Sequence, residues 1–200
     1  MDRLGAEEPI PLDLPFKGAR DYLHGTDMFD ALLGLTGARG PVVLVMRRLM
    51  QRPVSAVSIP PGGDPSAYPA EFHYSSVESD RTVVLREDPS REVTRRIAYD
   101  EERVTAPAVI SGTSLSCRLS ETYSFIEQVV ALNKLLLNRS AVGADSPKWL
   151  FTRIELDTVP ETPEVLDLKL AASIGSRITK TAIRTDGGLV GHIYFSRASH

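Results

Sequence analysis

The chain has 200 residues, of which 42% are hydrophobic and 24% charged, and a net charge of −3. This is ordinary globular usage in a length that suits one large domain or two small ones, and it excludes collagen, a coiled coil and wholesale disorder. The charge balance lacks the basic excess of a nucleic-acid binder, no run of about 18 apolar residues offers a membrane helix, and the lone Cys117 excludes an internal disulfide and a cysteine-based zinc site.

The opening residues Met1-Asp2-Arg3-Leu4-Gly5-Ala6-Glu7-Glu8 hold no apolar leader region, so the expectation is a cytoplasmic protein. Three prolines in residues 1–15 predict an extended lead-in, because proline fixes φ and offers no N–H. A short helix follows, with Thr26 as its cap and Asp27 at its first position. Its apolar face is Met28, Phe29, Leu32 and Leu33, and it ends at Gly34 or Gly37. Strands are predicted over 41–50, 54–59, 70–77 and 81–87. Asp88-Pro89-Ser90 reads as a turn, with 93–99 returning as a hairpin partner.

Residues 106–112 read as a connector into a strand of small residues. A second, longer helix then runs to about Asn138. Ser124 with Glu127 three residues on forms a capping-box pattern, and Gly143 and Pro147 end the helix. Strands are predicted over 149–156, 165–171, 177–184 and 189–196, the last two joined by the hairpin turn Asp186-Gly187-Gly188.

The same order of elements thus occurs twice. Met28-Phe29-Asp30 matches Phe125-Ile126-Glu127, Leu44-Val45-Met46-Arg47 matches Leu150-Phe151-Thr152-Arg153, and Asp88 matches Asp186. Such internal repeats decide a fold when they are real. A helix followed by antiparallel strands and a terminal hairpin resembles the hotdog fold. The resemblance implies an α+β double hotdog: two curled antiparallel sheets, each wrapping a central helix, with an N-terminal half over 1–106 and a C-terminal half over 107–200. Fusing two copies pairs sheet edges that would otherwise be exposed.

By that resemblance the substrates are acyl thioesters of CoA or an acyl carrier protein, handled by a thioesterase-like or dehydratase-like activity. A non-catalytic acyl-binding or scaffold role is the alternative. No separate cofactor, metal, nucleic acid or membrane is implied, and a homodimer is left open. His24-Gly25-Thr26-Asp27 resembles the His-Gly-Gly helix entry of hotdog thioesterases, with Thr26 in place of the second glycine and Leu33 where that family holds its acid. His24 would polarise the thioester carbonyl, Gly25 would allow close backbone approach, and Asp27 or Asp30 would be the carboxylate. The other reading is a capped helix whose Asp27 favours the helix dipole. Tyr123-Ser124-Phe125-Ile126-Glu127 resembles the hydroxyacyl-carrier dehydratase helix, with Glu127 as its acid, no histidine in the loop before it, and Glu121 and Tyr123 beside the tunnel. A site drawing His24 from one half and Glu127 from the other is also compatible with that resemblance. For Glu127 the other reading is the capping box itself. His73, His192, Cys117 and Arg47, Arg48 and Arg52 read more simply as strand, core and surface residues.

Overall fold

The computed structural model describes residues 8–75, 80–140, 148–175 and 177–198. The chain divides into two compact units, Met1–Tyr99 and Asp100–His200.

The first unit contains β1 (Ile10–Leu12), β2 (Phe16–Lys17), α1 (Gly25–Thr36), β3 (Val42–Met46), β4 (Val54–Ile59), β5 (Ala70–Ser75), β6 (Asp80–Glu87) and β7 (Arg96–Ile97). Its main sheet has the order β1-β4-β6-β5-β3, antiparallel throughout. Alternation along the strands sends Val42, Leu44, Phe72, Tyr74 and Val83 into the core. Phe29 of α1 meets Phe72 of β5 edge-on, with ring centroids 6.0 Å apart. Met28, Phe29 and Leu32 are buried, and each such side chain stabilises the unit by about 1.5–3 kcal/mol. Gly37 ends α1 in the left-handed conformation (φ 65°), and its N–H bonds to the Leu33 carbonyl at 2.8 Å.

One expectation needs correction here. Residues 93–99 do not return as a hairpin partner: only Arg96–Ile97 is extended, and it pairs in parallel with β2. The Arg96 guanidinium instead donates to the carbonyls of Gly18 and Arg20, both at 2.6 Å. Within the extended lead-in, Ile10–Leu12 adds a strand to β4.

The second unit contains α2 (Glu101–Thr105), β8 (Val109–Ser111), β9 (Ser114–Arg118), α3 (Phe125–Arg139), β10 (Trp149–Leu156), β11 (Val165–Ile174), β12 (Ile178–Thr185) and β13 (Gly188–Arg197). Its strand order is β10-β13-β12-β11-β9-β8. The α2 turn, unforeseen in the sequence, is capped by Asp100, whose carboxylate accepts from the Arg103 N–H, and is tied to α3 by Lys134 and Glu101 at 3.0 Å. Gly143 and Pro147 lie outside the described residues. No helix among the described residues is long and apolar enough to cross a membrane.

Each unit taken by itself has antiparallel strands and one long helix. The connectivity differs. Counting strands after the long helix, the first unit runs first-third-fourth-second and the second runs first-fourth-third-second. Asp186-Gly187 closes a tight hairpin between Thr185 and Gly188, whereas Asp88 leads away from the sheet. The sequence match of those two aspartates is not a structural one.

Candidate functional site

The entry to α1 gathers His24, Thr26, Asp27, Lys17 and Tyr99. The cap is His24 rather than Thr26: its backbone is extended (φ −79°, ψ 131°), and its carbonyl accepts from the N–H groups of Asp27 and Met28 at 3.1 and 3.2 Å. The His24 side chain makes no capping hydrogen bond. The imidazole instead turns to Thr26, with Nδ1 and Oγ1 sharing a hydrogen bond at 2.6 Å. The ring is almost wholly buried and tilts against Tyr99 at 5.5 Å. An α-helix leaves its first N–H groups without intrahelical partners, so this entry presents backbone donors and a fixed imidazole side by side.

Asp27 is engaged on its other side. Its Oδ1 lies 2.6 Å from Lys17 Nζ, and both side chains are largely buried. Lys17 and Arg20 also lie over the Tyr99 ring, at 5.3 and 5.0 Å from its centroid. The short β2–β7 pairing carries Tyr99 to this position, and a Cβ added at Gly18 (φ 58°) would lie 3.7 Å from the Tyr99 Cβ. Asp30 stands three residues after Asp27, half-buried, on the same side of the helix. His24, Gly25, Asp27 and Asp30 thus share one helix turn and its approach.

The entry to α3 is built differently. Ser124 caps it, its Oγ accepting from the Glu127 N–H at 3.2 Å, as the Ser124–Glu127 pattern predicts. Glu127 is half-buried in the first turn, where a carboxylate favours the helix dipole. Glu121 and Tyr123 come together along a cavity of about 680 Å3 with Ser120, Ser124, Phe125 and Gln128; Glu127 is not in its lining. Gln128 holds that loop in place. Its Oε1 accepts from the Ser120 N–H at 2.8 Å, and its Nε2 donates to the carbonyls of Ser120 and Tyr123 at 2.9 and 3.0 Å. Sequence reasoning passed over Gln128. The signal was a polar residue on the apolar stripe of the helix, followed by Val129 and Val130.

The remaining candidates divide by environment. Cys117 is buried, and desolvation pushes its thiol up. Burial and Lys180 together hold His192 below the ordinary imidazole value. Arg47 pairs with Glu71 at 2.8 Å and Arg52 with Glu92 at 3.2 Å, while Arg48 is 3.6 Å from Glu87. Among the described residues no group of three or more His, Cys, Asp or Glu side chains is arranged to hold a metal.

No protein-family model matches the sequence, and no curated protein does. The chain is similar to several solved structures. A structure described as a fusion DH domain is 10% identical, with 94% of this chain and 82% of that chain covered and a TM-score of 0.48. A candidate thioesterase II from Thermobifida fusca is 12% identical, with 98% and 95% covered and a TM-score of 0.48. The dehydratase domain of PpsC from Mycobacterium tuberculosis, in complex with C12:1-CoA, is 12% identical, with 88% and 85% covered and a TM-score of 0.46.

Proposed function

We propose that this chain is a hotdog-type protein that takes acyl thioesters, of CoA or an acyl carrier protein, at the entry to α1. The carrying observation is the α1 N-terminus, where the His24 side chain makes no capping hydrogen bond and its imidazole is held by Thr26 at 2.6 Å. A thioester carbonyl seated there would accept from first-turn N–H groups that the His24 carbonyl does not take, and these would stabilise negative charge developing on the oxygen. His24 would orient the carbonyl or take a proton from an attacking water. In the hydrolytic form of the reaction, water oxygen bonds to the carbonyl carbon, the C–S bond breaks, and the thiolate leaves with the proton. Asp27, which faces Lys17, or Asp30 one turn on would be the carboxylate that moves the proton.

That same Lys17–Asp27 pair favours a second reading, a non-catalytic acyl-binding partner. A carboxylate 2.6 Å from a buried ammonium is a poor base. One experiment separates the two readings. Acyl-CoA and acyl-carrier substrates of several chain lengths are offered, and thiol release and binding are both followed. Release that falls about 100-fold in His24→Ala supports the enzyme. Binding without release, weakened in His24→Ala, supports the binding partner. Neither release nor binding across the panel overturns both.

A further inference from the structure

The outer face of the first unit's sheet carries a second chemical constellation. Register places His73 of β5 directly opposite Thr82 of β6, and Glu71 two residues before His73 on the same face. His73 Nδ1 and Thr82 Oγ1 share a hydrogen bond at 3.0 Å. On the other side of the ring, Nε2 lies 3.4 Å from Glu71 Oε1. The other carboxylate oxygen of Glu71 is 2.8 Å from the Arg47 guanidinium. Arg47 is stationed there by its backbone N–H, which donates to the Pro69 carbonyl at 2.9 Å.

These contacts fix the direction of proton movement. Glu71 has only 8% of its side chain exposed and lies against the Arg47 guanidinium, and a carboxylate in this position offers His73 acceptor oxygens. A carboxylate oxygen beside Nε2 favours the tautomer with the proton on that nitrogen. The Nδ1 lone pair is then left facing the Thr82 hydroxyl. A hydroxyl, a base and a buried acid that orients the base form the general pattern of an activated nucleophile. The pattern is set in a cavity. His73 and Thr82 line a volume of about 790 Å3, with Val43, Ser58, Ile59 and Arg81 among its other walls, whereas Glu71 is not part of the lining. That size suits a small-molecule ligand, and the walls mix apolar with polar groups as ligand sites do.

We infer that Thr82, His73 and Glu71 form an acyl-transfer site for small carboxylic esters, separate from the α1 entry. Thr82 Oγ1 gives its proton to His73 Nδ1 and bonds to the ester carbonyl carbon. The tetrahedral adduct collapses, the C–O bond to the alcohol breaks, and His73 returns the proton to the departing alkoxide. Water then repeats the sequence on the acyl-threonine, releasing the carboxylic acid and restoring the hydroxyl. The sum is ester plus water to acid plus alcohol.

The test uses the full chain and p-nitrophenyl acetate. Release of p-nitrophenol is followed, and the peptide carrying Thr82 is examined for an acetyl group by mass spectrometry. Acetyl on Thr82 is expected in the native chain and in Thr82→Ser, which keeps the hydroxyl. It is expected to be absent in Thr82→Val, which keeps the branched shape of a strand residue, and reduced about 100-fold in His73→Gln. Glu71→Gln, a change at a positioning residue, should lower kcat while leaving KM unchanged. Circular dichroism of each variant shows whether the fold is retained. Acetyl found only on surface lysines, or acetylation of Thr82 at an unchanged rate in His73→Gln, overturns the inference.

Discussion

Lys17 Nζ and Asp27 Oδ1 lie 2.6 Å apart, with 7% and 17% of their side chains exposed. Removing one partner of such a pair withdraws the nearest opposite charge from the other, which stays buried, and the cost exceeds what the intact pair contributes. Lys17→Met should therefore destabilise the protein by about 3 kcal/mol. The double variant Lys17→Met/Asp27→Leu should recover most of that loss. Urea unfolding of the four members of the cycle measures both. An unchanged midpoint in the single variant would show that the pair is not strongly coupled.

Gln128 should matter more than its position on an apolar stripe suggests. Gln128→Leu keeps the volume but removes three hydrogen bonds to the Ser120–Tyr123 backbone. The expected loss is about 2 kcal/mol, from backbone groups left unsatisfied. Hydrogen exchange of the Ser120 amide, which Gln128 protects directly, should quicken well before global unfolding.

The core of the second unit contains the opposite case. Thr181 is fully buried, and its hydroxyl has no hydrogen-bond partner among the described residues. Thr181→Val has nearly the same shape and removes a polar group that folding must desolvate, so stability should rise by about 1 kcal/mol. Thermal unfolding of the variant checks the sign. A fall in the midpoint would count against an unpaired hydroxyl.

Gly191 offers a steric test of the β10–β13 pairing. A Cβ at this position would sit 2.0 Å from the Glu155 carbonyl oxygen and 2.9 Å from the Leu156 Cα. Both obstacles are backbone, so neither has a rotamer to escape into. Gly191→Ala should cost more than about 4 kcal/mol, in the range reserved for severe lesions. Gly187→Ala, whose nearest obstacle is the Thr185 hydroxyl at 4.0 Å, is the matched control. Near-equal unfolding midpoints for the two variants would refute the assigned register.

His192 gives a pH signature of known sign. Desolvation is the largest cause holding its imidazole below the ordinary value, followed by Lys180. A histidine lowered in the folded state favours its neutral form. Its contribution is present above the unfolded value of about 6.5 and is lost as pH falls through the folded value. His192→Gln should flatten the decline in stability over that interval, as measured by urea midpoints on either side of it.

The sequence by itself determined the local elements. Ser124 with Glu127 three residues on marked the start of α3, and the stretch 149–156 read as a strand at the bounds observed for β10. Asp186-Gly187 fixed a hairpin because a two-residue turn of that composition has few other uses. Those signals act within a few residues, and the His24–Asp27 stretch was legible as a helix entry for the same reason. Tertiary structure decided what each entry faces. Nothing near Asp27 in sequence announces Lys17, ten residues earlier, and nothing near His73 announces Thr82 as its partner, because cross-strand register is set by the whole sheet. The order of the inner strands also lay beyond the local pattern. Flipping a hairpin leaves its alternation unchanged, so the two units read alike in sequence while their strands are threaded differently.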